Sequence, residues 1–278
     1  MLPVFNHLIQ LQELLLIRTE QKTHRKGERT EELNAAVQEL TRMLPPEVQL
    51  LIARMQARDP LLIVPVSNNI CVGCGMKLPT SVVQTVRQAK QLQSCPVCSR
   101  ILYIAEGAPK RIIKPMKPGE MPKFGIARFS NPKLVIPRLK ALDRDGAIAE
   151  LARQMQSEGF VDDADKLIES ALKREAIVGT AVDHGIAFPH VRGVEGGGLV
   201  LALGITPKGV RFDQTGNNPT KIIFFAAIPT AASAFYLKLL AGLAETFHDV
   251  EARNLLMADE SQDKVWKVLL KLTKKRIV

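Results

Sequence analysis

A chain of 278 residues with 46% apolar and 24% charged side chains is long enough for two compact units and too apolar to be disordered. Its start lacks a basic leader, its first apolar run is broken by Gln10, Gln12 and Glu13, and its longest uncharged apolar run, Ile222 to Leu237, is split by Pro229, so neither a secretory signal nor a membrane span is expected. The net charge of +10 is uneven: residues 1–59 hold 8 basic against 8 acidic side chains, 60–125 hold 9 against 2, and 126–278 hold 21 against 18, which puts most of the excess on one basic stretch.

Residues 1–59 read as a helical coiled-coil arm. Leu8, Leu11 and Leu15, and again Leu33, Val37, Leu40 and Leu44, form narrow apolar stripes that need a partner helix. The intervening residues Arg18 to Glu32 are polar and include Gly27, so one long helix pairing with a second copy and a hairpin within the chain both remain open. Pro45 and Pro46 end that pattern, and a third helix can begin there with Val48, Leu51, Ile52 and Met55.

Residues 60–106 carry all four cysteines, as two Cys-x-x-Cys turns, Cys71-Val-Gly-Cys74 and Cys95-Pro-Val-Cys98. Without a secretory signal a cytoplasmic protein is expected, and there paired thiols at this spacing read as metal ligands rather than disulfides. Two such turns supply four soft ligands to one structural zinc and leave no position open for water. Pro79 to Gln91 reads as a short helix between the turns. Residues 107–127, rich in proline and lysine, read as a basic linker that, with the ribbon, suits a nucleic acid or an acidic protein.

From residue 128 onward helix and strand signals alternate. Leu134 to Ile136 reads as a strand; Asp143 can cap a helix closed by Gly159; Asp162 or Asp163 can cap another running to Glu175. Leu199 to Ile205 and Ile222 to Ile228 have the continuous apolar character of strands buried on both faces, and Ala231 to Phe247 and Ser261 to Thr273 read as helices. The expected fold is α/β, a mixed sheet flanked by helices, over 128–278. Of the histidines only His190 follows directly on a short apolar strand-like run, Gly185-Ile-Ala-Phe-Pro-His190.

The stretch from Ile70-Cys-Val-Gly-Cys-Gly-Met-Lys-Leu-Pro to Ser94-Cys-Pro-Val-Cys-Ser-Arg-Ile-Leu-Tyr103 resembles the C4-type zinc ribbons that follow an N-terminal coiled coil, which implies an adaptor or nucleic-acid-binding role. Leu172-Lys-Arg-Glu175, Gly185 to His190, Gly209-Val-Arg-Phe-Asp213 and Ile222 to Pro229 resemble, in that order, the enzyme IIA domain of the fructose/mannitol and nitrogen-regulatory type from the bacterial phosphotransferase system. The resemblance implies that His190 accepts a phosphoryl group from phospho-HPr or a similar phosphocarrier and that Arg174 clamps its oxygens. The family's second histidine, at the head of an H-L-x-x-L-x-x-L pattern, falls on Tyr236, a neutral hydroxyl, and Val191 stands where the family prefers a smaller residue. Regulatory phosphoryl transfer is therefore the leading expectation. The alternative is an adaptor that binds through the ribbon and keeps a degenerate IIA domain for interaction, and a homodimer through the arm is a further expectation.

Overall fold

The structure, a computed structural model, describes residues 2–24, 30–56, 60–89, 91–104, 110, 112, 124–177, 179–212, 219–229 and 232–277. They form two compact units, Met1–Gly107 and Ala108–Val278.

In the first unit α1 (Leu2–His24) packs against α2 (Thr30–Arg42), and α3 (Pro46–Gln56) follows. The open choice between one long helix and a hairpin is resolved as helices packed together within the chain. Leu8, Leu11 and Leu15 of α1 and Leu33 and Val37 of α2 are buried, and Arg18 Nη1 donates to Asn34 Oδ1 at 3.3 Å. The stripes that suggested a dimer are thus buried within one chain. The arm also grips the ribbon: Gln12 Oε1 accepts the backbone N–H groups of Leu62 and Ile63 at 2.7 and 2.8 Å, pairing amides whose unmet burial would be costly.

The ribbon sheet contains β1 (Ile63–Ser67), β2 (Ile70–Cys71), β3 (Gln93–Ser94) and β4 (Ile101–Tyr103) in the order β2-β1-β4-β3, with β1 and β4 parallel. Asn68 and Asn69, with φ of 50° and 59°, make the tight turn from β1 to β2. The expected short helix is α4 (Thr80–Gln88), whose Val83 and Val86 pack with Val64, Leu78 and Leu102.

The second unit holds, among the described residues, a six-stranded mixed sheet. Its members are β5 (Val135–Ile136), β6 (Ala181–Val182), β7 (Ile186–Ala187), β8 (His190–Arg192), β9 (Val200–Val210) and β10 (Thr220–Ile228), ordered β5-β9-β10-β7-β6 with β8 also paired to β10. β9 and β10 are antiparallel, whereas β7 and β8 run parallel to β10. Alternation along β10 sends Phe225 and Ala227 to one face and Phe224, Ala226 and Ile228 to the other. On the first face lie α5 (Arg144–Ser157) and α6 (Ala164–Ile177), through Ile148, Leu151, Leu167 and Ala171. On the second lie α7 (Ser233–His248), α8 (Val250–Met257) and α9 (Gln262–Thr273), through Leu239, Leu243, Phe247, Leu256, Val265 and Leu269.

Asp143 caps α5 through Gly146 N–H at 2.7 Å, and Asp163 rather than Asp162 caps α6, accepting from Lys166 N–H at 3.1 Å. Three details depart from the sequence reading. Residues Pro132–Leu134 form a 3-10 turn ahead of a two-residue strand, α8 has no counterpart among the expected helices, and His190, which does follow the short strand β7, itself begins a further strand. In the linker interval Lys110 and Ile112 are docked on the second unit: Lys110 N–H donates to Asp162 Oδ1 at 2.7 Å, and Ile112 N–H to the Phe160 carbonyl at 3.1 Å. Arg111, Lys114 and Lys117 lie outside the described residues. No helix among the described residues is long and apolar enough to cross a membrane.

Candidate functional site

The four thiols come from two loops. The first follows directly on β2, with Gly75 N–H bonded to the Cys71 carbonyl at 2.8 Å, and the second precedes β4, with Ser99 N–H bonded to the Cys95 carbonyl at 2.9 Å. All four Sγ atoms lie within 4.8 Å of one another, with Cys71 to Cys98 at 3.7 Å and Cys74 to Cys95 at 3.8 Å. Four sulfurs each about 2.3 Å from a zinc form a tetrahedron with edges of about 3.8 Å, so the thiols fit such an ion. Burial pushes the Cys71 thiol far above its ordinary range and raises Cys74 as well. Burial also acts to raise Cys98, but hydrogen bonds from Arg100 outweigh it and bring that thiol down to about 7. A buried thiol raised in this way gives up its proton only where a cation lies beside it.

The second site is built where β7 gives way to β8. Gly185, with φ of 74°, sits so close to the Pro219 carbonyl that an added Cβ would lie 2.9 Å from its oxygen, which ties this position to glycine. Pro189 then separates β7 from β8; its carbonyl accepts Ala226 N–H at 3.0 Å, and β8 opens with His190 paired to Ala226. His190 is buried, as is Tyr236 in the first turns of α7. Its Nδ1 lies 3.1 Å from the Phe188 carbonyl and 3.3 Å from the Tyr236 hydroxyl, and the two ring centroids are 5.1 Å apart.

Of the residues expected at this site, His190 and Tyr236 are thus in direct contact. Arg174 is buried in the last turn of α6, the helix that packs against β8. Its neighbour Glu175 is buried too, and its carboxylate accepts Thr180 N–H at 2.7 Å and the Thr180 hydroxyl at 2.9 Å. Burial raises the Glu175 carboxyl above its ordinary range, although the Thr180 bonds and the nearby Arg174 and Arg144 charges oppose the shift. The Thr180 carbonyl in turn accepts Phe188 N–H at 3.1 Å, so the backbones of Thr180 and Phe188 link Glu175 to the carbonyl that holds His190. Asp213, at the end of the Gly209 to Asp213 motif, lies outside the described residues. His248 is exposed and meets His184 edge-on, with ring centroids 4.9 Å apart.

Sequence reasoning missed Arg192, whose Cζ lies 5.4 Å from the Tyr236 ring centroid. Period-two alternation from His190 finds it once His190 is placed inside a strand. No sequence signal marks the Phe188 carbonyl as the partner of Nδ1.

Comparison with known proteins adds two matches to families. Residues 70–102 match the C4-type zinc ribbon domain, and residues 128–272 match the phosphoenolpyruvate-dependent sugar phosphotransferase system, EIIA 2. A fructose-specific EIIA component of the phosphotransferase system from Haloferax volcanii is 29% identical over 126 residues, 45% of this chain and 82% of that protein. A nitrogen regulatory protein from Bradyrhizobium diazoefficiens is 26% identical over 138 residues, 50% of this chain and 90% of that protein. The crystal structure of nitrogen regulatory protein IIA-Ntr from Neisseria meningitidis aligns with 22% identity and a TM-score of 0.46, covering 51% of this chain and 96% of that one. With a buried histidine at the head of β8 and the EIIA 2 match running from residue 128 to 272, and with a stretch similar to the C4-type zinc ribbon domain ahead of it, the chain belongs to the EIIA 2 family of the phosphoenolpyruvate-dependent sugar phosphotransferase system.

Proposed function

We propose that the second unit is a phosphoryl carrier that accepts phosphate on Nε2 of His190 from a phosphohistidine protein of the HPr kind, in a cytoplasmic and regulatory setting. One observation carries the choice of atom. The Phe188 carbonyl can only accept a hydrogen bond, so the His190 nitrogen 3.1 Å from it holds the proton and Nε2 holds the lone pair. In the transfer Nε2 forms a bond to phosphorus as the donor's N–P bond breaks and the donor imidazole leaves with that electron pair. Positive charge developing on the His190 ring is met through Nδ1–H by the Phe188 carbonyl and the Tyr236 oxygen. Arg174 supplies a guanidinium for the phosphoryl oxygens. The regulatory reading draws on the nitrogen regulatory relative. The four cysteines hold one structural zinc per chain, which serves as a cross-link with every position taken by protein.

The test is incubation with enzyme I, HPr and labelled phosphoenolpyruvate. An acid-labile phosphoprotein that disappears in His190→Ala is the expected result; no label on the wild type, beside a IIA control that takes it, ends this reading. The uncharged Tyr236 and the 9-to-2 excess of basic side chains over residues 60–125 favour a second reading, an adaptor that binds nucleic acid or an acidic protein through the ribbon.

A further inference from the structure

β8 carries a second functional group on the face that presents His190. Side chains two residues apart on a strand share a face and stand roughly 6.5 Å apart. The register agrees: His190 pairs with Ala226 and Arg192 with Ile228, both of the core under α7, whereas Val191 pairs with Ala227 of the opposite core. Tyr236 bridges the two, its ring centroid 5.1 Å from that of His190 and 5.4 Å from Arg192 Cζ.

We propose that Arg192 is the second cation of this site, held over the Tyr236 ring and donating N–H groups to the oxygens of a phosphoryl group on His190. The proposal rests on reading His190 as the acceptor. An incoming phosphoryl group brings about two negative charges, and a neutral hydroxyl at 236 offsets neither. An aromatic face attracts a guanidinium, whereas a protonated imidazole in the same place would repel it. Tyr236 and Arg192 are therefore a matched pair, in which the tyrosine positions the charge that it does not itself carry. The guanidinium fork is suited to phosphate oxygens in a way that a single ammonium is not.

Transfer from labelled phospho-HPr is measured for the full chain as wild type, Arg192→Gln, Arg192→Lys, Tyr236→His, and Tyr236→His combined with Arg192→Gln, each checked for folding by its melting curve. Arg192→Gln should slow transfer by about 10- to 100-fold, with Arg192→Lys between it and wild type. Tyr236→His should restore about tenfold or more in the Arg192→Gln background, a clearly larger factor than it gives where Arg192 is present, because the two cations replace each other. An Arg192→Gln rate within about twofold of wild type, or an equal Tyr236→His factor in both backgrounds, overturns the assignment. Binding of inorganic phosphate, followed by the nitrogen chemical shifts of the His190 ring, gives a second readout without any donor. Weakening of about tenfold in Arg192→Gln supports the cation, and unchanged or absent binding sinks it. If the wild type takes no label but binds phosphate through Arg192, the carrier reading falls and the anion site stands.

Discussion

The chain from Glu175 through Thr180 and Phe188 to His190 consists of bonds at 2.7, 3.1 and 3.1 Å, so a buried carboxyl group three hydrogen bonds away helps to orient the His190 imidazole. Glu175→Ala leaves Thr180 N–H and Oγ without their acceptor and should cost about 2–4 kcal/mol by urea unfolding. Glu175→Gln keeps one oxygen for those donors and reveals the effect of charge. Burial raises the Glu175 carboxyl in the folded state above its ordinary 4.5, so the folded protein holds that proton more tightly than the unfolded chain does. Its stabilising contribution is complete below about 4.5 and is lost as pH rises through the folded value. Glu175→Gln, which cannot ionise, should therefore compare more favourably with wild type at pH 8 than at pH 4. A stability difference independent of pH would show that the carboxyl titrates alike in both states. His190, Arg174 and Tyr236 were legible as motif positions, but Arg192 was not, because His190 was read as lying beyond its strand. The Glu175 to Phe188 chain is backbone bonding for the most part, and backbone bonds leave no side-chain pattern to read.

At the scale of elements, signals with a physical cap or a full period survived best. Asp143 and Gly159 bound α5 as expected, with Gly159 at φ of 65°; β10 matches its continuous apolar run, and β9 covers most of its own and continues to Val210. Strands of two or three residues, such as β6 and β8, are shorter than the period that would betray them, and α8 is eight residues joined to α7 through Asp249 alone. The ribbon was the plainest element of all, since its spacing states its chemistry. Its four strands hold at most five residues each, so a structural zinc at the thiols would contribute much of its folding energy, of order 10 kcal/mol. Cys95→Ser, which replaces a buried ligand, should abolish stoichiometric zinc, measured by metal analysis, and remove the ribbon's cooperative melting. A serine variant that retains one zinc per chain and melts as the wild type does would contradict the four-thiol site.

For the molecule as a whole, the basic stretch makes a partner testable. If residues 60–125 contact nucleic acid, neutralising Lys110, Arg111, Lys114 and Lys117 together should lower the slope of log affinity against log salt by about 0.9 for each phosphate that is no longer neutralised, read by anisotropy with labelled single- and double-stranded probes. Lys110 lies 3.9 Å from Glu195, so it should contribute least of the four. Absence of binding at low salt removes the nucleic-acid reading.

The division into Met1–Gly107 and Ala108–Val278 also predicts which parts of the chain respond to metal removal. The sequence suggested an arm separate from the ribbon, but the amides of Leu62 and Ile63 are held by Gln12 of α1, so the grip of the arm depends on an ordered β1. β1 in turn carries β2 and pairs with β4, the strands beside the two cysteine loops. Removing zinc should therefore release the loops, then β1, and with it the hold on α1, while the core of the second unit keeps its own packing. Hydrogen exchange of the full chain with and without a strong chelator reads this directly: the Leu62 and Ile63 amides should lose protection along with the ribbon. The amides of Ile223 to Ala227 in β10 should exchange as slowly as before, and phosphorylation of His190 should proceed at an unchanged rate. If Leu62 and Ile63 stay protected after the metal is gone, the arm and β1 hold each other without the zinc cross-link. If β10 loses protection as well, the two units share one cooperative transition and the zinc stabilises both.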